Sequence, residues 1–137
     1  MVSHATFSQT NTVSYGTGLN LKQFTFRVTD TPQVAIVQDK VHIAISSFKG
    51  LTLEIKGFPL KQLECGKLVY GKTCKFKLTV NKQLYCSKLE EYSNTIGVVC
   101  LGNNLYKLYV KSVVYKGAER IKLNAQLNCR IKNEYEY

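Results

Sequence analysis

The stretch Gly66-Lys67-Leu68-Val69-Tyr70-Gly71-Lys72-Thr73 has the spacing of a phosphate-cradling loop, with Lys72 and Thr73 where a nucleotide hydrolase places its phosphate and Mg²⁺ contacts. Such a loop works between a buried parallel strand and the N-terminus of a helix, whose N–H groups and dipole hold the anion. Neither flank supplies that setting. Upstream, Phe58 to Cys65 carries Pro59, Lys61 and Glu64 in place of a continuous apolar run; downstream, Cys74 to Val80 alternates every second residue and reads as a strand. Leu68 to Tyr70 itself reads as a short strand between two turn glycines. A nucleotide hydrolase also needs an acidic residue ending an apolar strand, and the two aspartates, Asp30 and Asp39, sit beside short turns instead.

Other catalytic chemistry is equally short of partners. The two histidines are His4, in the N-terminal segment, and His42, which alternates with Val41 and Ile43 on the wet side of a strand. Glu90 and Glu91 are adjacent carboxylates in a polar stretch, the pattern of a solvated charge pair. Five cysteines, Cys65, Cys74, Cys86, Cys100 and Cys129, show neither C-x-x-C spacing nor a nearby histidine. They read as reduced, mostly buried small hydrophobes, which places the protein in an intracellular, reducing compartment such as the cytoplasm, or in a virion. The expectation is a non-enzymatic protein with no catalytic residue, no metal site and no cofactor.

The elements that position these residues are strands. At 137 residues with 45% hydrophobic and 20% charged content, the chain has the size and composition of one globular domain spanning 1 to 137. Nine Tyr, six Phe and no Trp favour strand over helix. No secretory leader is legible at the N-terminus, no window holds 18 apolar residues, and residues 1 to 18 read as an N-terminal arm. Period-two alternation runs from about residue 19 to residue 132, with a single helix candidate at Cys86 to Ser93. The expected fold is all-β: an antiparallel β-sandwich or jelly-roll-like domain of about eight to nine short strands, with an OB-like barrel as the alternative.

Two hairpins can be registered. Placing Leu84 and Cys86 on the face of Phe76, Leu78 and Val80 requires an odd loop, Asn81 to Gln83, and leaves Lys75 and Lys77 on the wet face. In the second, Gly117-Ala118 suits a type II′ turn with Lys116 opposite Glu119. Val114 then faces Ile121, Ser112 Leu123, Val110 Ala125, Leu108 Leu127 and Tyr106 Cys129, an inner face. The outer face receives Lys107, Tyr109, Lys111, Lys122, Asn124, Gln126, Asn128 and Arg130.

Charge singles this face out. The net charge is +10, and two segments concentrate it: residues 61 to 88 and residues 105 to 132 each hold seven basic side chains against one acidic. Cations pair with phosphates, amides bond to base edges and a tyrosine ring stacks on bases, so the ten residues Lys75, Lys77, Lys107, Tyr109, Lys111, Lys122, Asn124, Gln126, Asn128 and Arg130 form a candidate surface for RNA or single-stranded DNA. Three function classes remain. One is a structural or assembly module, such as a virion-type shell component, that associates with itself or other subunits and meets packaged nucleic acid. The others are a single-stranded nucleic-acid-binding β domain and an intracellular module that binds an acidic protein surface.

Overall fold

A computed structural model describes residues 10–19, 21–27, 30–47, 50–70, 74–88 and 94–132. Strands account for 70% of these residues and none of them lies in an α-helix. In chain order the strands are β1 (Thr12–Gly16), β2 (Lys22–Thr25), β3 (Gln33–Val37), β4 (Lys40–Ser47), β5 (Leu51–Pro59) and β6 (Leu68–Tyr70). They continue with β7 (Lys75–Val80), β8 (Gln83–Ser87), β9 (Thr95–Gly102), β10 (Leu105–Lys116) and β11 (Glu119–Arg130). A 3-10 turn, Leu60–Gln62, follows β5. Among the described residues no helix is long and apolar enough to cross a membrane.

The all-β antiparallel architecture expected from the alternation is what forms, as one eleven-stranded sheet curled into a half-barrel. Its main path runs β2-β1-β11-β10-β8-β7-β5-β4-β3. A branch leaves from β10, whose edge is shared: Leu105 to Lys111 pair with β9, and Val114 and Tyr115 pair with β8. Strand β6 pairs with β9 on the far side of that branch. The curl brings β3, at one end of the path, close to β11.

Inward positions of the long strands make one core. Leu108, Val110 and Val114 of β10 join Ile121, Leu123, Leu127 and Cys129 of β11, and across the curl they meet Ile43, Ile45, Leu53, Ile55, Phe76 and Leu78. All are buried because period-two alternation puts every second side chain on the concave side. Strand β5 runs past Ile55 to Pro59, four residues further than its alternation suggests. The cause is a bulge opposite His42, where Gly57 takes φ 85° and lets the strand bend and continue.

Thr12–Gly16, inside the stretch read as an arm, is an internal strand paired with β2 on one side and β11 on the other. Val13 is fully buried and Tyr15 packs against the core, while Thr12 and Ser14 point outward. With β1 and β6 included, the described residues form eleven strands rather than eight or nine. The helix candidate is corrected in part: Cys86 and Ser87 belong to β8, and Leu89 to Ser93 lie outside the described residues.

The β10–β11 register is the one expected, from Lys116 opposite Glu119 to Tyr106 opposite Cys129. Gly117 has φ 59° as a type II′ turn requires. The β7–β8 register differs. Asn81 and Lys82 both lie in the left-handed region, φ 50° and 67°, and make a two-residue type I′ turn, so Leu78 faces Tyr85 and Thr79 faces Leu84. Leu84 is therefore outward and 48% exposed, whereas Tyr85 and Ser87 are buried. Their hydroxyls are satisfied there: Tyr85 Oη donates to Glu119 at 3.1 Å, and Ser87 Oγ accepts the Phe76 N–H at 2.9 Å. Lys116 donates to Gln83 at 2.8 Å instead of to its register partner Glu119.

Two of the five cysteines read as reduced are joined. Cys65 and Cys100 form a disulfide with Cα atoms 5.2 Å apart, tying the turn before β6 to the end of β9. Cys74 and Cys129 are buried thiols and Cys86 is half-buried. The expectation of a reducing compartment rested on five unpaired thiols, and this pair removes that ground.

Candidate functional site

The outward face of β9, β10, β11, β1 and β2 is assembled by the hydrogen-bonded register. One row runs Thr95, Lys111, Asn124, Ser14, Gln23; the next runs Gly97, Tyr109, Gln126, Thr12, Thr25. A third places Val99 beside Lys107 and Asn128, and at the other end Tyr115 lies opposite Arg120 and Val113 opposite Lys122. Outward positions of these strands thus hold the cations Lys107, Lys111, Arg120, Lys122 and Arg130, and no carboxylate among the described residues.

Of the eight residues assigned to this surface from the β10–β11 hairpin, seven occupy it as expected. Lys111, Lys122, Asn124 and Gln126 are exposed, Tyr109 is 40% exposed, and Lys107 is half-buried with its Nζ 5.9 Å from the centre of the Tyr109 ring. Such a cation over a ring is a weak attraction that a better ligand can displace. Arg130 is exposed, and one guanidinium nitrogen donates to the Asn103 carbonyl at 2.6 Å, which ties it to the β9–β10 turn.

Asn128 is the exception. It is buried, its N–H donates to Asn11 Oδ1 at 2.7 Å, and its Nδ2 donates to the Thr10 carbonyl at 3.4 Å. Asn11 is itself buried and donates to the Asp30 carbonyl at 3.3 Å. Asn128 therefore fastens the chain entering β1 onto β11 and is buried beneath it rather than exposed on the face.

Lys75 and Lys77 are outward but sit elsewhere. Both lie on β7, and β8 separates that strand from β10. Lys77 is half-buried opposite Glu54 of β5, and Lys75 opposite Lys56. Glu54 meets Lys56 at 3.6 Å, so this second cluster carries a carboxylate that the β10–β11 face lacks.

Sequence reasoning missed several members of the face. Arg120 has the same parity as Lys122 in β11 and follows from the hairpin register already in hand. Thr12, Ser14 and Gln23 depend on β1 lying beside β11, a pairing between opposite ends of the chain that no local pattern signals. Tyr115, half-buried and outward, carries the Lys88 ammonium 4.2 Å from its ring centre, a second cation and ring pair on the same strand.

Thr12, Ser14, Gln23, Tyr109, Lys111, Asn124 and Gln126 line a shallow hollow of about 370 Å³. A second hollow, about 280 Å³, lies over Ala35 and Ala44 between Gln33, His42, Glu54 and Lys56. Small side chains on β3 and β4 create it. Gly71, Lys72 and Thr73 of the phosphate-loop pattern lie outside the described residues, as do His4, Glu90 and Glu91; Leu68 to Tyr70 form an antiparallel strand, and Gly66, with φ 76°, turns the chain before it. Among the described residues no group of three His, Cys, Asp or Glu side chains could hold a metal ion. Comparison with protein-family models, curated proteins and solved structures finds no match to the chain.

Proposed function

We propose that the protein is a non-enzymatic assembly module whose basic sheet face docks on nucleic acid, as a shell or scaffold component meeting a packaged strand would. The observation that carries this reading is the outward face of β9, β10, β11, β1 and β2, with five Lys and Arg side chains and no carboxylate among its described residues. Unopposed cations on a regular surface attract polyphosphate and release its counterions on binding. Amides and a half-exposed tyrosine between the cations add contacts that an acidic protein surface would leave unused. A disulfide persists in oxidising surroundings, particle surfaces included, which suits a shell component.

The test is salt dependence. Five phosphate contacts to a single strand give a slope of about −3.5 in log affinity against log salt, so raising salt from about 50 to about 200 mM should weaken binding about 100-fold. Fluorescence anisotropy with a labelled oligonucleotide measures it. Absence of binding near 50 mM salt, or preference for an acidic protein over nucleic acid, sinks the reading.

The assembly half rests on a separate observation. Among the described residues strand β3 ends the sheet with no strand on its outer edge, and its sequence Gln33-Val34-Ala35-Ile36-Val37 holds no charge and no proline, with Ile36 and Val37 40% and 51% exposed. Edges of this composition pair with another strand unless a charge or proline blocks them. The expected result is concentration-dependent self-association in sedimentation velocity, abolished by Val37→Lys. A strictly monomeric protein at high concentration counts against it.

A further inference from the structure

The face carries a hollow between β10 and β2. We propose that this hollow seats one unpaired base of a single-stranded nucleic acid, stacked on Tyr109. The inference rests on the nucleic-acid reading above and narrows it to a strand type and a contact.

Tyr109 is the large aromatic side chain at the rim, 40% exposed. Its neighbour across the β9 ladder is Gly97, where an added Cβ would stand 3.7 Å from Tyr109 Cβ. That is ordinary contact distance, so the backbone does not require glycine there, and the same point lies 3.9 Å from Leu68 Cδ1. Beyond Gly97 in the same row stands Leu68, 53% exposed, which gives one flank of the ring an apolar wall.

On the other flank the hollow is lined by the amides of Gln23, Asn124 and Gln126 and by the hydroxyls of Thr12 and Ser14. An amide offers both a donor and an acceptor, the complement of a base edge. Lys107 and Lys111 lie two residues to either side of Tyr109 on β10, about 7 Å away along the strand in each direction. They can therefore hold the phosphates flanking the nucleotide whose base is stacked. A duplex cannot use this arrangement, because its bases are stacked inside and only its backbone reaches the sheet.

The experiment compares a short labelled single strand, the same strand as a duplex, and an abasic sugar-phosphate strand of equal length at low salt. The single strand should bind more tightly than either of the others. Tyr109→Ala should weaken it by about 5- to 150-fold, the worth of one base stack, and leave the abasic strand unaffected. Tyr109→Phe should retain the affinity, and Gly97→Val, which adds bulk beside the ring without removing a cation, should reduce it. A thermal melt of each variant establishes that it is folded. Equal affinity for base-bearing and abasic strands, equal affinity for the duplex, or an unchanged Tyr109→Ala overturns the base seat while leaving polyphosphate docking in place. Failure to bind any strand overturns both.

Discussion

Breaking the Cys65–Cys100 disulfide should lower the unfolding free energy by about 4 kcal/mol. The two residues are 35 apart in sequence, and closing a loop of that length in the unfolded chain removes configurational entropy worth about 4 kcal/mol in the chain-entropy account. In the folded state the link is nearly free of competing demands, because the β6 and β9 backbones already run side by side there. Gly66 N–H donates to the Val98 carbonyl at 2.8 Å and Val98 N–H to the Lys67 carbonyl at 2.9 Å, continuing the ladder of Leu68 to Tyr70 toward the disulfide. Urea unfolding of the native protein and of a Cys65→Ser, Cys100→Ser double variant measures the difference. A loss below about 1 kcal/mol would mean that the pair does not constrain the unfolded chain. The reduced branch should be the first part of the sheet to exchange its amide protons, since β6 is only three residues long and pairs on one side.

A second large effect is expected at alkaline pH. Cys129 is fully buried opposite Tyr106, and burial pushes its thiol up from 9.0 to about 12. In the unfolded chain the thiol ionises near its ordinary value; in the folded chain it keeps its proton until about pH 12. Between those limits the unfolded state binds fewer protons than the native state, so stability is fully present below pH 9 and falls as pH rises. At about 1.4 kcal/mol per pH unit the loss reaches ~4 kcal/mol by pH 12. Tyr85 adds in the same direction further up: burial, then its hydrogen bond to Glu119 and the nearby Glu119 charge, raises its phenol above 10.0. Its contribution is complete below pH 10 and is lost above it. Denaturant titrations from pH 8 to pH 11 should show a falling midpoint whose slope is markedly reduced in Cys129→Ala. An unchanged slope in that variant would refute the assignment to this thiol.

The β10–β11 hairpin was legible in full because its strands are long and alternate cleanly about one turn that only Gly117-Ala118 can make. Seven of the eight candidate surface residues on it follow directly. The β7–β8 hairpin shows the limit of the same logic. Leu84 and Cys86 are more apolar than Tyr85 and Ser87, so hydropathy selects the wrong parity. The burial of the two hydroxyl side chains depends on partners 34 and 11 residues away, Glu119 and Phe76, that hydropathy does not see. Asn128 failed for a related reason. Its parity is outward, and only the arrival of Thr10 and Asn11 from the other end of the chain buries it. The disulfide was invisible because it depends on β6 lying against β9, and a three-residue strand between turn glycines does not announce its neighbour.

The seam between β1 and β11 bears on how the chain is made. Thr12 to Gly16 pairs with residues 122 to 126, and the Asn11 clasp on Asn128 spans 117 positions. During synthesis from the N-terminus, β1 and β2 can form no more than a two-stranded ribbon of low stability until β11 has left the ribosome. Val13 and Phe26 must wait in water for Ala125, Leu127 and their neighbours. Completion of the sheet is thus postponed until β11 has been made, and a nascent protein truncated before β11 would display the β1 and β10 edges to any strand-forming segment nearby.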